Sequence, residues 1–264
     1  MIQEPSNVKA GHGGEDAGAV EGREQVFWDD HVSSLECCRA EYEAGPDALT
    51  AAALQALEPA GAKVLDFACG TGVTSAWLAA RGAEVVGADV SRRSIDRARE
   101  LCESLGLQAR FVAGSVDALA EEGPFDRIFG RFALHHVDCT EVGPALSRLL
   151  RPGGIGAFVE TMDSNPALRF ARRRLVGRFG IPRYGTVDEH PLTDTDLDAL
   201  RRAFGTLRVD VPQMTFFRIA DRQLLQYRAA FASRLAGAID DALLGLGFGS
   251  WSYHQVLVVT RDGG

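Results

Sequence analysis

Residues 64–72, VLDFACGTG, constrain the fold of this chain more than any other stretch. A short apolar run leads into a turn with glycines at Gly70 and Gly72, and residues 73–81 are predicted to form a helix. Such a run is typical of a buried parallel strand, and the start of a helix offers unpaired N–H groups to a ligand. The stretch therefore predicts a strand, a glycine loop and a helix. Ser75 stands where the dinucleotide-binding fingerprint has its third glycine, so the motif departs from that fingerprint.

Three further segments follow in a characteristic order. Residues 84–89 (EVVGAD) are predicted to form a second strand that ends in a carboxylate, where βαβ folds place an acidic residue beside a ribose. Residues 125–137 (FDRIFGRFALHHV) and 149–154 (LLRPGG) come at the spacing of a fourth strand and of the turn before a fifth. Together with 64–72, these segments resemble those of the class I S-adenosylmethionine-dependent methyltransferases.

The resemblance covers residues 62–161 and implies an α/β fold, a doubly wound, mostly parallel seven-stranded sheet with a C-terminal antiparallel strand pair. LLRPGG and Asp66 favour this family over the alternative, another nucleotide-binding doubly wound domain such as a dehydrogenase. Strands that alternate with helices indicate by themselves a parallel sheet covered on both faces. The predicted strands are 63–67, 84–89, 109–113, 125–131, 155–161, 207–217 and 253–260, and the predicted helices are 23–44, 47–57, 73–81, 92–105, 117–121, 140–150, 193–204 and 221–247.

A length of 264 residues suits one domain with a large core. Residues 1–22 are rich in glycine and acidic residues without periodicity, which predicts a disordered acidic tail. We expect residues 23–264 to form a single domain. Its predicted parts are N-terminal helices (23–60), a cofactor-binding half (61–161) and two insertions that cover the substrate (162–192 and 221–250).

Charge and composition exclude several classes of protein. The net charge of −8 leaves no basic excess, so nucleic acid is not an expected partner. No apolar stretch reaches the ~18 residues of a membrane span, and the first residues lack a signal-peptide pattern, so we expect a cytoplasmic protein. We expect it to be a monomer or a homodimer. Five scattered cysteines indicate a reduced chain. His135, His136, Asp138 and Cys139 crowd together but match no zinc-binding spacing, and no metal is expected.

The resemblance implies S-adenosylmethionine as the cofactor and S-adenosylhomocysteine as its product. Asp66 and the glycine turn would hold the methionine end and the ribose edge, and Asp89 would accept both ribose hydroxyls, since a carboxylate takes two donors at once. Arg131 would line the floor near the methionine. The residues predicted to contact the cofactor are Asp66, Ala68, Gly70, Gly72, Asp89, Val90, Ser115, Val116, Asp117 and Arg131.

The adenine position departs from the family pattern. Many members carry Gly-Asp after the third strand, and that Asp accepts the adenine amino group, whereas this chain has Gly114 followed by Ser115. The amino group would therefore bind the Ser115 hydroxyl, Asp117 or water. The N–H of Val116 remains available to a ring nitrogen.

The sulfonium of this cofactor is already an activated methyl donor, so a base is needed only where the nucleophile must lose a proton. His135 and His136 come at the end of the fourth strand, where substrate and methyl group meet in this fold. One of them is expected to face the pocket while the other packs behind it. Glu160, at the end of the fifth strand, is predicted to be a base, an orienter of a histidine or a polar anchor.

Candidate substrate contacts come from the N-terminal helices and from the segment after the fifth strand. That segment holds six arginines between residues 165 and 183, and they form a solvated helix face, a site for a carboxylate or phosphate of the substrate, or a contact with an anionic membrane. Residues 180–192 mix turn formers with polar and aromatic residues, as a recognition loop does. The residues predicted to contact the substrate are Phe27, His31, Arg169, Arg173, Tyr184 and His190.

We therefore predict methyl transfer to a small-molecule acceptor in bacterial specialised metabolism, and the arginine-rich segment allows this acceptor to be anionic. The histidines and Glu160 favour oxygen or carbon over nitrogen as the acceptor atom. The alternatives are a family member that catalyses a reaction other than methylation, a binding protein with a vestigial site, and a methyltransferase that acts on a protein or a membrane-associated lipid.

Overall fold

A computed structural model describes residues 17–174, 190–224 and 229–263, without the side chains of 17–21, 173 and 222–224. Its centre is a seven-stranded sheet. The strands are β1 (Lys63–Phe67), β2 (Glu84–Asp89), β3 (Arg110–Ala113), β4 (Phe125–Arg131), β5 (Leu150–Thr161), β6 (Gly205–Asp210) and β7 (His254–Arg261).

The strands follow one another across the sheet in the order β3-β2-β1-β4-β5-β7-β6. The pairs among β1 to β5 are parallel, and β7 runs antiparallel to both of its neighbours, β5 and β6. The predicted fold class, a mostly parallel sheet with a C-terminal antiparallel pair, is confirmed. The chain order reverses direction between β1 and β4, and ligands of open α/β sheets bind beyond the strand ends at such a point.

Helices precede the sheet, alternate with its strands and extend the chain after β5. Three helices come before β1, and α4 to α6 lie between the parallel strands. The helices are α1 (Ala17–Asp30), α2 (Leu35–Ala44), α3 (Ala48–Leu57), α4 (Val73–Ala80), α5 (Arg92–Leu105), α6 (Cys139–Leu149), α7 (Pro166–Arg174), α8 (Asp194–Phe204), α9 (Phe217–Leu224) and α10 (Ala230–Gly245).

Apolar side chains cover both faces of the sheet, as the continuous apolar runs of its central strands require. On one face Leu65 and Ile128 pack in a cluster with Leu200 of α8. On the other face Val64 and Phe129 belong to a cluster that includes Trp77 of α4. Because successive residues of a strand point to opposite faces, β1 and β4 each supply both clusters. The strand ends are thereby fixed between two layers of helices.

The N-terminal predictions were wrong in two respects. Helix α1 begins at Ala17, so residues 17–22 are helical rather than part of a tail; residues 1–16 lie outside the described part of the chain. The predicted helix 23–44 is divided into α1 and α2 by residues 31–34. The side chain of Ser34 accepts a hydrogen bond from the backbone N–H of Cys37 and so caps the start of a new helix. The spacing of the apolar residues in 23–44 did not reveal this break.

The C-terminal predictions were wrong about where the strand ends. The predicted strand 207–217 is shorter, since β6 ends at Asp210 and helix α9 begins at Phe217. The buried carboxylate of Asp240 in α10 receives the backbone N–H groups of Phe216, Phe217 and Arg218. This long-range cap stabilises a helix start where propensity alone favours a strand. The predicted helical stretch 221–247 accordingly contains parts of two helices.

Gly72 fixes the approach of two helices beside the glycine loop. It precedes α4 at a φ of +80°, a conformation that residues with a Cβ rarely adopt. A Cβ on Gly72 would lie 2.6 Å from the Cβ and 2.9 Å from the Cα of Ala98 in α5. The glycine is therefore required by backbone conformation and by packing together.

We expect Gly72→Ala to lower the free energy of unfolding by about 3 kcal/mol, since it adds overpacking to an unfavourable φ. Gly82→Ala is the matched control: Gly82 has a φ of +83° but no atom within 4 Å of an added Cβ. The control should lose only about 1 kcal/mol. Chemical denaturation measures both values, and equal losses would contradict a role for the Ala98 contact.

Candidate active site

Asp89, the last residue of β2, ties the glycine loop to its strand. Its Oδ2 accepts the backbone N–H of Gly70 at 2.8 Å, and its Oδ1 accepts that of Ser91 at 2.9 Å. Burial raises the pKa of Asp89, while these two N–H groups and the nearby His136 act in the opposite direction. A carboxylate has about four acceptor positions, so two hydroxyl donors of a ribose fit on Asp89 beside the two backbone donors.

The loop between β1 and α4 has an unusual backbone. Ala68 has a φ of +55° and Gly70 a φ of +52°. Strained residues of this kind concentrate at ligand sites. An added Cβ on Gly70 would meet no atom within 4 Å, so this side of the loop borders open space that a ligand can fill. Val90, half-buried, follows Asp89 at the same edge of the sheet.

Asp66, predicted to hold the methionine end of the cofactor, lies in β1 and contacts helix α4; its role toward the cofactor stays a prediction. Its side chain is buried with 1% exposure, and its Oδ2 accepts the hydroxyl of Ser75 at 2.6 Å. Burial raises the pKa of Asp66 to about 7. The residue therefore joins β1 to α4 in the protein interior. Its partner is Ser75, the residue that interrupts the dinucleotide fingerprint.

The three candidates for adenine lie in the turn after β3. The N–H of Gly114 donates to the carbonyl of Asp89 at 2.9 Å, which sets this turn beside the end of β2. Ser115 is half-buried and its side chain makes no capping hydrogen bond to the following 3-10 turn, Val116–Leu119. Asp117 is exposed. Their roles toward adenine stay predictions.

Arg131, the last residue of β4, ties that strand to the N-terminal helices. Its guanidinium lies 2.8 Å from Glu41 and 3.5 Å from Asp47, which caps α3. The same group lies over the rings of Trp77 and Phe132. The Nε of Arg131 is buried without a hydrogen-bond partner. A buried N–H of this kind suits a carboxylate ligand.

Glu160 holds the turn after β4 and one of its histidines. Its side chain is fully buried, and its Oε1 accepts the backbone N–H groups of Ala133 and Leu134 at 2.8 and 2.7 Å. Its Oε2 lies 2.9 Å from Nδ1 of His135. Because a carboxylate accepts and does not donate, the Nδ1 of His135 carries the proton in this pair and Nε2 is the basic nitrogen. This geometry is compatible with a histidine orienter, one of the three roles predicted for Glu160.

His136 is held from the other side, by helix α1. The rings of His135 and His136 lie 4.2 Å apart between centroids. Nδ1 of His136 is 3.2 Å from Oε2 of Glu24, and the ring of Trp28 packs edge-on against His136 at 5.7 Å. Trp28 also donates its indole N–H to Glu24 at 2.8 Å. Each histidine thus has a carboxylate of its own, and which of the two faces the acceptor stays a prediction.

Of the N-terminal candidates, Phe27 lies in helix α1 and His31 follows directly after it; their contacts with a substrate stay predictions. His31 is exposed, contacts the carbonyl of Phe27 through Nδ1 at 2.7 Å and stacks on the Phe27 ring. Glu24 and Trp28 contact His136. Their separation by four residues places them on one helix face, a signal that the sequence carried and that the prediction did not use for Glu24.

Of the remaining substrate candidates, one lies beside the histidines, one is paired with an acidic residue elsewhere, and two lie wholly or partly outside the described residues. His190 comes to the site, since its backbone N–H donates to the carbonyl of His135 at 3.3 Å. Arg169 lies 3.4 Å from Asp163, and Arg172 also contacts Asp163 and donates to the hydroxyl of Tyr253 at 2.9 Å. These two arginines are thus paired within the chain. The side chain of Arg173 and the whole of Tyr184 lie outside the described residues.

Over the described ranges, the structure contains no group of three or more His, Cys, Asp or Glu side chains arranged to hold a metal ion. In the same part of the chain, none of the helices combines the length and the apolarity that crossing a membrane demands. The cysteines Cys37, Cys38, Cys69, Cys102 and Cys139 are all free.

Comparison with known proteins places this geometry in a family. A family model described as "Methyltransferase domain" matches residues 64–154. The ubiquinone biosynthesis O-methyltransferase of Ruegeria pomeroyi is 34% identical over 177 residues, which cover 62% of this chain and 70% of that protein. The enzyme of the same name from Xanthomonas axonopodis pv. citri is 40% identical over 114 residues, which cover 42% of this chain and 47% of that protein. For several other curated relatives, as for the Xanthomonas enzyme, the chain spans about half of the relative's length or less.

Solved structures share the fold. Magnesium protoporphyrin IX methyltransferase from Synechocystis PCC 6803, with bound S-adenosylhomocysteine, superimposes with a TM-score of 0.53 at 16% identity, over 96% of this chain and 90% of that one. At this identity the likeness concerns the fold alone.

The raised pKa of Asp66 predicts a pH dependence of stability. The folded state holds this proton up to a pKa of about 7, whereas the ordinary value is 3.8. The stabilising contribution of protonated Asp66 is therefore complete below about pH 4 and is lost as the pH rises through 7.

We expect wild type to lose about 3 kcal/mol of unfolding free energy relative to Asp66→Asn between pH 5 and pH 8. Urea denaturation at both pH values measures the difference. Asp96→Asn, at an exposed position of α5, is the control and should keep a constant difference from wild type. A constant difference for Asp66→Asn as well would contradict the raised pKa.

Proposed function

The chain belongs to the class I S-adenosylmethionine-dependent methyltransferases, and from this premise we propose that it transfers a methyl group from S-adenosylmethionine to an oxygen or acidic carbon of a small-molecule acceptor. The observation that carries the proposal is the 2.9 Å contact between Nδ1 of His135 and Oε2 of Glu160, at the ends of β4 and β5. It supplies an oriented base at the sheet edge where the glycine loop lies.

The residues at this edge fit the cofactor. Asp89 would accept the ribose hydroxyls, the loop at Gly70 would border the ligand closely, and the orphaned Nε of Arg131 would serve the methionine carboxylate. When bound, S-adenosylmethionine would supply a methyl group on a positively charged sulfur that needs no further activation. The task left to the protein is to align the acceptor, exclude water and receive a proton.

His135 would receive that proton. Its Nδ1–H is directed to Glu160, so Nε2 presents a lone pair to the acceptor hydroxyl or C–H. As the proton arrives, the ring becomes an imidazolium, and the Glu160 carboxylate stabilises the new charge. Because Glu160 is also fixed by two backbone N–H groups, the ring is oriented before the acceptor binds. An oriented base favours a hydroxyl or acidic carbon over an amine, which needs no such help when neutral.

The surroundings favour a small, partly aromatic acceptor. His135 is only 8% exposed, and Trp28 and Phe132 contact the two histidines with their rings. A site covered in this way suits a molecule that can be enclosed, and aromatic rings pack well against aromatic acceptors. Both relatives described above are named for ubiquinone biosynthesis, which supports a role in the biosynthesis of a metabolite. We further propose that this metabolite belongs to specialised metabolism.

We expect wild-type protein to bind S-adenosylhomocysteine with micromolar affinity in calorimetry. Asp89→Asn should weaken binding at least about tenfold, because the amide replaces one acceptor of a charge-assisted pair with a donor. Asp96→Asn, on the outer face of α5, should bind as wild type does. Absence of binding to wild type would overturn the proposal.

Glu160→Gln tests the base. The amide can keep its oxygen on the two backbone N–H groups, but its NH₂ would then face Nδ1 of His135 and favour the tautomer whose proton lies on Nε2. We expect kcat to fall by about 10²- to 10⁴-fold with unchanged binding of S-adenosylhomocysteine. Activity is measured as S-adenosylhomocysteine release with a panel of phenols, alcohols and 1,3-dicarbonyl compounds.

Glu141→Gln, an exposed carboxylate in the first turn of α6, is the control and should retain full activity. Full activity of Glu160→Gln with an acceptor that wild type methylates would show that His135 is not the base. Methylation of amines alone would show that the acceptor class is wrong.

A further inference from the structure

Helix α1 contacts the candidate site through one buried carboxylate. Glu24 is 5% exposed, whereas the side chain of Asp30 on the same helix is 73% exposed. Burial of a charged side chain is costly unless it is paired. Glu24 receives the indole N–H of Trp28 and lies 3.2 Å from Nδ1 of His136. The helix therefore buries this charge against the active-site histidine.

A second contact fixes the C-terminal end of α1 beside the cofactor position. Oδ1 of Asp29 accepts the hydroxyl of Ser91 at 2.6 Å and the backbone N–H of Arg93 at 3.3 Å. Ser91 lies two residues after Asp89 and donates its own N–H to that carboxylate. Helix α1 thus spans from the end of β2 to the turn after β4, across the edge where cofactor and acceptor are proposed to meet.

The groups that face His136 come from three elements. Glu24 and the Trp28 ring reach it from α1, and the His135 ring lies tilted against it from the same turn. At the end of β2, the nearby His136 acts to lower the pKa of Asp89 against the effect of burial. Glu24 and Trp28 both come from α1, so this helix contacts two sides of the imidazole through one carboxylate and one ring.

We propose that Glu24 is a positioning residue that couples the docking of helix α1 to the orientation of His136. With α1 docked, Glu24 lies against the Nδ1 side of the ring and restrains its rotation. With α1 undocked, His136 loses this partner and the site is incomplete. The inference rests on the proposed function only in assigning His136 to the active site; the contact itself is a property of the protein alone.

The first experiment measures hydrogen–deuterium exchange of the α1 amides in the protein without ligand. Glu24→Gln keeps an acceptor for the Trp28 indole but removes the charge, and we expect exchange across 17–30 to become about fivefold faster. Asp30→Asn, exposed and 3.9 Å from Arg93, is the matched control on the same helix and should change exchange by less than about twofold. Equal effects of the two variants would overturn the proposal.

A double-mutant cycle separates an action through His136 from a general packing role. His136→Gln should also accelerate exchange in α1, and adding Glu24→Gln to it should have no further effect. If the two effects multiply instead, Glu24 does not act through His136 and the proposal fails.

The same variants are then tested with S-adenosylhomocysteine as the probe. We expect the ligand to slow exchange in α1 of wild type and to dissociate several-fold faster from Glu24→Gln. Unchanged dissociation from this variant would overturn the coupling. Absence of any binding to wild type would remove the proposed function, while the exchange cycle would still decide whether Glu24 holds α1 on His136.

Discussion

The candidate site depends on one buried charge, the carboxylate of Glu160 at the end of β5. A charge without exposure must be satisfied internally, and three N–H donors converge on this one, from Ala133, Leu134 and His135. All three belong to the turn that follows β4. The turn is therefore held to the neighbouring strand as well as by its own hydrogen bonds, and this explains how Phe132 can persist at a φ of +56° just before it. Its own N–H adds a bond to the carbonyl of Val159.

The same arrangement recurs on the cofactor side. Asp89 ends β2 and receives backbone N–H groups from the glycine loop and from the start of α5. In both places a carboxylate at a strand end fixes a neighbouring loop before any ligand arrives, so little reorganisation is left for binding. Asp66 likewise holds β1 to the start of α4, but it accepts a side-chain hydroxyl rather than a backbone N–H. The site is thus assembled by side chains that reach across strands.

The sequence predicted the sheet and the cofactor edge because both follow from local patterns. Apolar runs mark the strands, and the glycines of the loop and the terminal Asp89 lie where parallel strands end. The sequence did not predict the cap that Asp240 provides for α9, since that contact joins residues more than twenty positions apart. For the same reason it could not choose between His135 and His136. Each histidine is defined by a carboxylate on a distant element, and no spacing within the turn records which one.

The two histidines and Asp89 lie inside residues 64–154, the segment that the methyltransferase family model matches, whereas Glu24 and Glu160 both lie outside it. The carboxylates that contact the two histidines therefore come from flanking segments of the chain, one before the matched core and one after it. A substitution at Glu24 or Glu160 would change the surroundings of an imidazole without changing any residue of the matched core.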